Sequence, residues 1–503
     1  MNKQIRRLAI GLLVCYLALF VQLNVLQVGR ERELNANPLN NRQTVRDFNR
    51  PRGPIITADG VVVARSVANP ANSTYKYQRE YPTADLFGNI TGYYTFSYGS
   101  SQLERSTGDV LMGDTPAQRL GAIGNLFADD NSGTVQLTLQ SDAQQVAVTA
   151  LGDREGSVVV LDPTTGAVIA MVSNPRFDPN LVAVPDAKQA GKIFDFLNAA
   201  PGKPLLNNAY QERYMPGSSF KVITTGIAFE NGATSLDRVF ATESEYLPPQ
   251  TTDPVQNYGG KACGGTMVEV FFRSCNTPFA RLAIELGPDK MVAGTKLWGI
   301  GEPIPIDLPR AASSSFGEVA DFTQQLPLLA IGGFGQGSDA MVPLHMAMVA
   351  ATVANDGAMM APHVIDATLD HAGRVLERTQ PSVWKTPISV ATAETLNDLM
   401  IEVVNQGTGR PMQLAPAADG TPIQAAAKTG TAQLNTTGPE RSNAWIIGYA
   451  PVEAPKYAIA VILKGGPDDE ISAGTGGKLA GPIAKQILDF LLARDAGQGS
   501  AGG

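Results

Sequence analysis

One apolar run near the N-terminus sets the topology of everything after it. Lys3, Arg6 and Arg7 precede Leu8–Leu26, 19 residues without a formal charge. That is about the length that crosses a ~30 Å hydrocarbon core as a helix. A cleaved leader needs small residues in an A-x-A pattern after the run, and Phe20-Val21-Gln22-Leu23-Asn24 offers none. A lipid-modified cysteine needs a small residue just before it, whereas Val14 precedes Cys15. The expectation is a retained single-pass anchor in the cell membrane. Its basic flank and N-terminus lie in the cytoplasm and one large part lies outside.

Composition then removes several classes. Of the 503 residues, 44% are hydrophobic and 17% charged, an ordinary globular balance that excludes a disordered chain, a collagen and a coiled coil. Residues 141–503 carry 25 basic and 36 acidic side chains, so the exported part has no basic excess to serve a nucleic acid.

The pattern along the chain divides it into residues 1–7, a cytoplasmic tail; 8–26, the anchor; 27–140, a polar stalk and small N-terminal domain; 141–495, a larger domain; and 496–503, a flexible tail (GQGSAGG at its end). Short β-branched and aromatic runs broken by Gly, Pro and Asp make 46–140 read as mostly β. Beyond it, helical spacing covers 138–151, and Ser157–Asp162, Pro163-Thr164-Thr165-Gly166 and Ala167–Ser173 read as a hairpin. Apolar helices are expected near 219–231, 267–286, 341–355, 390–405 and 478–493, with strands near 444–450 and 457–464. Strands at both ends with helices between them indicate an α+β domain on an antiparallel sheet.

Chemistry must come from ordinary side chains. His345, His363 and His371 have no metal-ligand spacing, and Gly332–Gly337 lacks the Lys-Ser/Thr of a phosphate loop. No metal or organic cofactor is expected. Ser-x-x-Lys occurs three times. Ser73/Lys76 lies in a strand-like stretch, where residues three apart face opposite ways, and Ser382/Lys385 is bracketed by Pro381 and Pro387. Ser218/Lys221 follows Pro216-Gly217 and opens an apolar helix, where i,i+3 spacing stacks the amine over the hydroxyl and first-turn N–H groups are free for developing negative charge. A plain N-cap with a solvated lysine is the alternative, but a helix apolar nearly all round buries its lysine. Ser274-Cys-Asn276 and Lys428-Thr-Gly430 are each unique in the chain and follow in order. Cys263 and Cys275, twelve apart, fit either a bridge or two free thiols.

The set Ser-x-x-Lys, Ser-x-Asn, Lys-Thr-Gly is shared by penicillin-binding proteins and serine β-lactamases. The chain resembles the class B, monofunctional penicillin-binding proteins over nearly all of its exported length. Arg52-Gly53-Pro-Ile55, Asp59-Gly60 and Ala64-Arg65-Ser66 are similar to the opening motif of their N-terminal domain. Tyr98–Glu104 is similar to its Gly-Leu-Glu motif, with Gln102 where glycine is usual. Leu161-Asp162-Pro163, Asp178-Pro179-Asn180, Gly335-Gln336-Gly337, Ala354-Asn355-Asp-Gly357 and Trp445–Pro451 match the transpeptidase domain.

That resemblance implies a non-penicillin-binding pedestal and a transpeptidase domain whose antiparallel sheet is sandwiched by helices. It implies a peptidoglycan D,D-transpeptidase acting in cell-wall synthesis and cell shape or division, acylated and inhibited by β-lactams. Ser218 is then the nucleophile, Lys221 its activator and Ser274 the relay to the leaving amine. Asn276 holds Lys221 and the substrate's side amide. Lys428, Thr429 and Thr431 bind the terminal carboxylate. Gly430 allows close approach, and the N–H groups of Ser218 and Thr431 form the oxyanion hole. The substrates implied are D-Ala-D-Ala stem peptides, and the protein partners a polytopic membrane glycan polymerase and division or elongation proteins. Three other readings stay open: a D,D-carboxypeptidase, a β-lactamase-like hydrolase and a non-catalytic penicillin-binding scaffold. Against the hydrolase, the string after Asn276 most similar to the E-x-x-L-N loop of class A enzymes, Glu394-Thr-Leu-Asn397, has different spacing and lies over a hundred residues beyond Asn276.

Overall fold

The computed structural model of the chain describes residues 2–25, 42–69, 75–123, 131–435, 441–466, 471 and 474–500. Most of the expected stalk, and Ser73 of the first Ser-x-x-Lys, lie outside them. The chain divides into two compact units, one of Met1–Pro51 with Val67–Gln78, the other of Arg52–Ser66 with Arg79–Gly503. The first carries the helix Asn2–Asn24, whose apolar side chains are exposed and which is long and apolar enough to span a membrane. It also holds the helix Arg42–Phe48, with Phe48 edge-on to Tyr75 at 5.2 Å.

Among the described residues the longer sheets are two. One, the central sheet, is five-stranded and antiparallel, in the order Ala426–Gln433, Ser442–Ala450, Tyr457–Leu463, Gly156–Leu161, Val168–Asn174. The last four strands are buried along their whole length, which is why they read as unbroken apolar runs rather than alternating ones. Alternate side chains still divide between two cores. Val159, Leu161, Ile447, Ala460 and Ile462 pack with the helices Lys221–Glu230 and Pro343–Ala354. Val158, Val160, Ile446, Ile459 and Val461 pack with Ser141–Leu151 and Gly476–Ser500. The sheet is sandwiched by helices, as the sequence indicates. The last helix runs to Ser500, into the stretch read as a flexible tail. Arg494, bonded to Asp142 and Asp495, holds its preceding turn.

The other sheet has six strands in the order Val375–Arg378, Ile365–Leu369, Thr134–Leu137, Ile55–Ile56, Val62–Ala68, Tyr77–Glu80. Its strands are joined by short helices at Gly88–Thr91, Gln102–Ser106, Gly108–Met112 and Pro116–Ile123, so this region is more helical than its β-branched runs suggest. Inside it, buried Glu104 accepts from Arg52 Nε and Arg79 Nε, both at 2.6 Å.

Candidate functional site

Three glycines bring the free edge of the central sheet against the turn that carries Ser218. A 3-10 helix, Gly217–Phe220, leads into the helix Lys221–Glu230. Gly217 has φ 55°, and its N–H donates to Gly335 O at 2.8 Å. A Cβ on Gly217 would lie 2.5 Å from Thr431 O, one on Gly335 2.1 Å from Gly217 O, and one on Gly430 2.5 Å from Pro216 O. Each meets backbone, which cannot swing away. Ser219 Oγ is held by Pro216 O at 2.8 Å, whereas Ser218 is half-buried and its hydroxyl makes no hydrogen bond among the described residues.

The expected helix over 267–286 is two helices with the Ser-x-Asn tripeptide in the break. Met267–Phe272 begins with a capping box between Thr266 and Glu269. Ser274 then takes φ 61°, a left-handed conformation that ends an α-helix, and Thr277–Leu297 starts afresh. Cys275, the middle residue, is disulfide-bonded to Cys263, with Cα atoms 5.6 Å apart.

That break turns polar atoms toward two buried amines. Lys221 Nζ donates to Ser274 O at 2.8 Å and to Asn276 Oδ1 at 2.9 Å, and lies 3.4 Å from Ser274 Oγ. Lys428 Nζ donates to Ser274 Oγ at 2.8 Å and to Thr429 O at 3.0 Å. Both lysines are fully buried, beside the rings of Phe279, Phe334 and Phe271. Burial, and then the charge of Lys428, push the Lys221 amine well below the usual lysine range. Burial alone brings Lys428 down to about 7. Among the described residues Lys221 Nζ makes no hydrogen bond to Ser218, the contact the i,i+3 spacing suggests. Its amine is drawn to the Ser-x-Asn tripeptide. A neutral amine has two N–H donors and one lone pair, so with Ser274 O and Asn276 Oδ1 taking the donors, the lone pair is left to accept a proton.

The strand Ala426–Gln433 closes the site. The Gln336 amide, its nitrogen toward the Gln433 carbonyl, bonds the Gln433 backbone in both directions at 3.3 and 3.2 Å. Thr431, two residues back on a strand, turns its N–H and C=O to that same free edge, facing Gly217. Thr431 Oγ accepts from Gly476 N at 3.3 Å. Thr429 is buried, with its hydroxyl 2.6 Å from that of Thr408.

Elsewhere the candidates separate. Lys385 lies on the strand Val383–Lys385 and pairs with Glu302 at 2.7 Å. Glu394 is exposed on the helix Val390–Asn405. His345 is buried between Ser314 Oγ and Trp298 O at 2.9 and 2.8 Å, and burial lowers it to about 4, so it is a neutral core residue. Among the described residues no group of three His, Cys, Asp or Glu side chains could hold a metal. Thr408 and Asn257, which touch the motifs, carry no sequence signature of their own, whereas Gln336 lies in the Gly335-Gln336-Gly337 run.

A family described as the penicillin binding protein transpeptidase domain matches residues 156–489, and one described as the penicillin binding protein A dimerisation domain matches 52–135. The chain is 36% identical to a peptidoglycan D,D-transpeptidase PbpA of Mycolicibacterium smegmatis, covering 98% of this chain and 99% of that one. It is 33% identical to the protein of the same name from Mycobacterium tuberculosis, over 98% and 99%. Solved structures of M. tuberculosis penicillin-binding protein A as ceftriaxone and penicillin G acyl-enzymes each give a TM-score of 0.79. They are 31% and 30% identical, covering 88% of this chain and 99% and 100% of theirs.

Proposed function

The chain belongs to the class B penicillin-binding proteins, and from that premise we propose that it is a membrane-anchored peptidoglycan D,D-transpeptidase working through a Ser218 acyl-enzyme. The observation that carries the reading is the convergence of two buried amines on the Ser274 hydroxyl beside the Ser218 turn. Ser218 Oγ attacks the carbonyl carbon of the penultimate D-alanine and its proton passes to the Lys221 lone pair. Negative charge on the carbonyl oxygen meets the N–H groups of Ser218 and Thr431; losing one such donor typically costs about 3–4 kcal/mol. The C–N bond then breaks. The leaving D-alanine amine takes its proton through Ser274 Oγ, which links Lys221 to Lys428. An acceptor amine attacks the ester, forms the new amide and returns a proton to Ser218.

Lys428 and Thr431 hold the substrate's terminal carboxylate, or a β-lactam's, and Asn276 holds its side amide. Thr429 has a second task, because its hydroxyl is tied to Thr408. The basic flank of the anchor places the N-terminus in the cytoplasm and the catalytic part outside. A polytopic glycan polymerase and division or elongation proteins are the expected partners of the region before residue 140. The exposed place of Glu394 supports slow deacylation by water over a hydrolase.

The test is to incubate the full chain, in detergent, with benzylpenicillin, follow intact mass and map the modified peptide. A stable adduct on Ser218, absent from Ser218→Ala, is expected. An adduct lost within seconds favours the hydrolase, and none on folded protein favours the scaffold.

A further inference from the structure

We propose that Asn257 is a positioning residue for the acylation step, acting through Asn276; the inference rests on the reading of Ser218, Lys221 and Asn276 above. An asparagine at the start of a helix ordinarily folds its side-chain oxygen back onto the free N–H groups of its own first turn. Asn276 stands at that place before Thr277–Leu297, yet makes no such cap. Its Oδ1 accepts from Lys221 Nζ at 2.9 Å and its Nδ2 donates to Gln256 O at 3.0 Å. A side-chain cap has little to accept, since Pro278 has no N–H and Phe279 N already donates to Asn276 O at 3.1 Å. The N–H groups of Asn276 and Thr277 themselves need an acceptor, and a residue nineteen positions upstream supplies it. Asn257 Oδ1 accepts from Asn276 N at 2.7 Å and from Thr277 N at 3.1 Å.

Only one orientation of the Asn257 amide satisfies its surroundings. Its Nδ2 donates to Glu243 O at 2.8 Å and to Thr277 Oγ1 at 3.3 Å. The side chain is 5% exposed, so water cannot take over these bonds. The adjacent residue, Gln256, fixes the other end of Asn276 and thereby sets which side of its amide faces Lys221. Asn257 therefore fixes the backbone of Asn276, as Gln256 fixes its amide, so that its oxygen faces the lysine. Without Asn257, the buried N–H groups of Asn276 and Thr277 lose their acceptor and the start of the helix must shift to satisfy them. Asn276 moves with it, and Lys221 loses one of the two acceptors that leave its lone pair for Ser218.

The experiment measures the second-order rate of benzylpenicillin acylation by intact mass, using the full chain in detergent. Wild type, Asn257→Ala, Asn257→Asp, Asn276→Ala and the double variant Asn257→Ala/Asn276→Ala are compared. Loss of buried hydrogen bonds predicts a fall of about 10- to 100-fold for Asn257→Ala. Asn257→Asp keeps the acceptor for both N–H groups and should recover most of that loss. The discriminating reading is the cycle: in the Asn276→Ala background, Asn257→Ala should add less than about threefold, because the two act as one unit. Full additivity would show that Asn257 serves folding alone, and an unaltered rate in folded Asn257→Ala would show no role; either overturns the proposal. Rates are taken on the fraction that finally acylates, so partial misfolding does not imitate the effect. If wild type forms no adduct on Ser218, the underlying reading fails first. If it does, the variants judge Asn257 alone.

Discussion

Two lysines are buried at the centre of this molecule without a carboxylate partner among the described residues, and burial of that kind works against folding. The sign follows from proton counts. The unfolded chain keeps both lysines protonated to about pH 10.4, whereas the folded chain releases the Lys428 proton at about 7 and that of Lys221 well below the ordinary range. The unfolded state therefore binds more protons between those values, and stability rises with pH through the window by about 1.4 kcal/mol per pH unit for each lysine. Lys221→Met, similar in length and without charge, should raise Tm at pH 7 while abolishing acylation. Its advantage should shrink by pH 9.5, and thermal melts at the two pH values test this. The same shifts predict the rate profile. Acylation by a carboxylate-bearing β-lactam needs Lys221 neutral and Lys428 charged, so its second-order constant should fall as pH rises past about 7, where Lys428 loses its proton. An unbroken rise to pH 9 would contradict the carboxylate-binding role of Lys428.

At the level of elements, what decides the site is how closely one strand edge approaches one helical turn. Gly430→Ala sets a Cβ 2.5 Å from Pro216 O and 3.1 Å from both Ser219 N and Ser219 Oγ. The strand must then move away from the turn, carrying the Thr431 N–H with it. Acylation should drop by about 10²- to 10³-fold, the usual effect of losing an oxyanion donor, while Tm changes little and the adduct still forms slowly on Ser218. The sequence announces part of this approach, since Gly430 in Lys-Thr-Gly is the residue expected to allow it. It also announces the central hairpin and the helix Val390–Asn405 to the residue, because burial there matches local periodicity. It is silent on the break between Phe272 and Thr277. Apolar periodicity continues across it, and only the left-handed Ser274, anchored by Cys275 to Cys263 and by Asn276 to Asn257, interrupts the helix. Those ties join residues 12 and 19 apart, beyond the reach of helix or strand periodicity. Gln102 is the converse case. It stands where the resembling motif has glycine and has φ 45°. Its amide bonds Tyr210 at 2.6 Å and Gln211 at 3.0 Å, distant in sequence.

For the molecule as a whole, a hairpin crosses the sequential boundary near residue 140. The hairpin Ile365–Leu369 and Val375–Arg378 leaves the transpeptidase region and adds two strands to the sheet of the preceding region. Ile365 pairs with Leu137 and Leu369 with Thr134. It is anchored at its base, where the Asp307 carboxylate accepts from Val364 N and Ile365 N at 2.9 and 2.8 Å. Thr138 Oγ1 donates to Val168 O and His363 O at 2.7 and 3.2 Å, which joins the two sheets through one side chain. A fragment starting at residue 141 would keep the hairpin but lose Thr134–Leu137, exposing a strand edge and the buried Ala367 beside it. An unpaired edge of this kind invites pairing with another chain. Fragment 141–503 should therefore aggregate on size exclusion and bind less than one benzylpenicillin per chain, whereas fragment 52–503, which keeps the strands Ile55–Ile56 and Thr134–Leu137, should stay monodisperse and acylate fully. Monodisperse, stoichiometrically acylated 141–503 would mean that the hairpin folds without its sheet, and that the N-terminal region is a pedestal separable from the catalytic machinery.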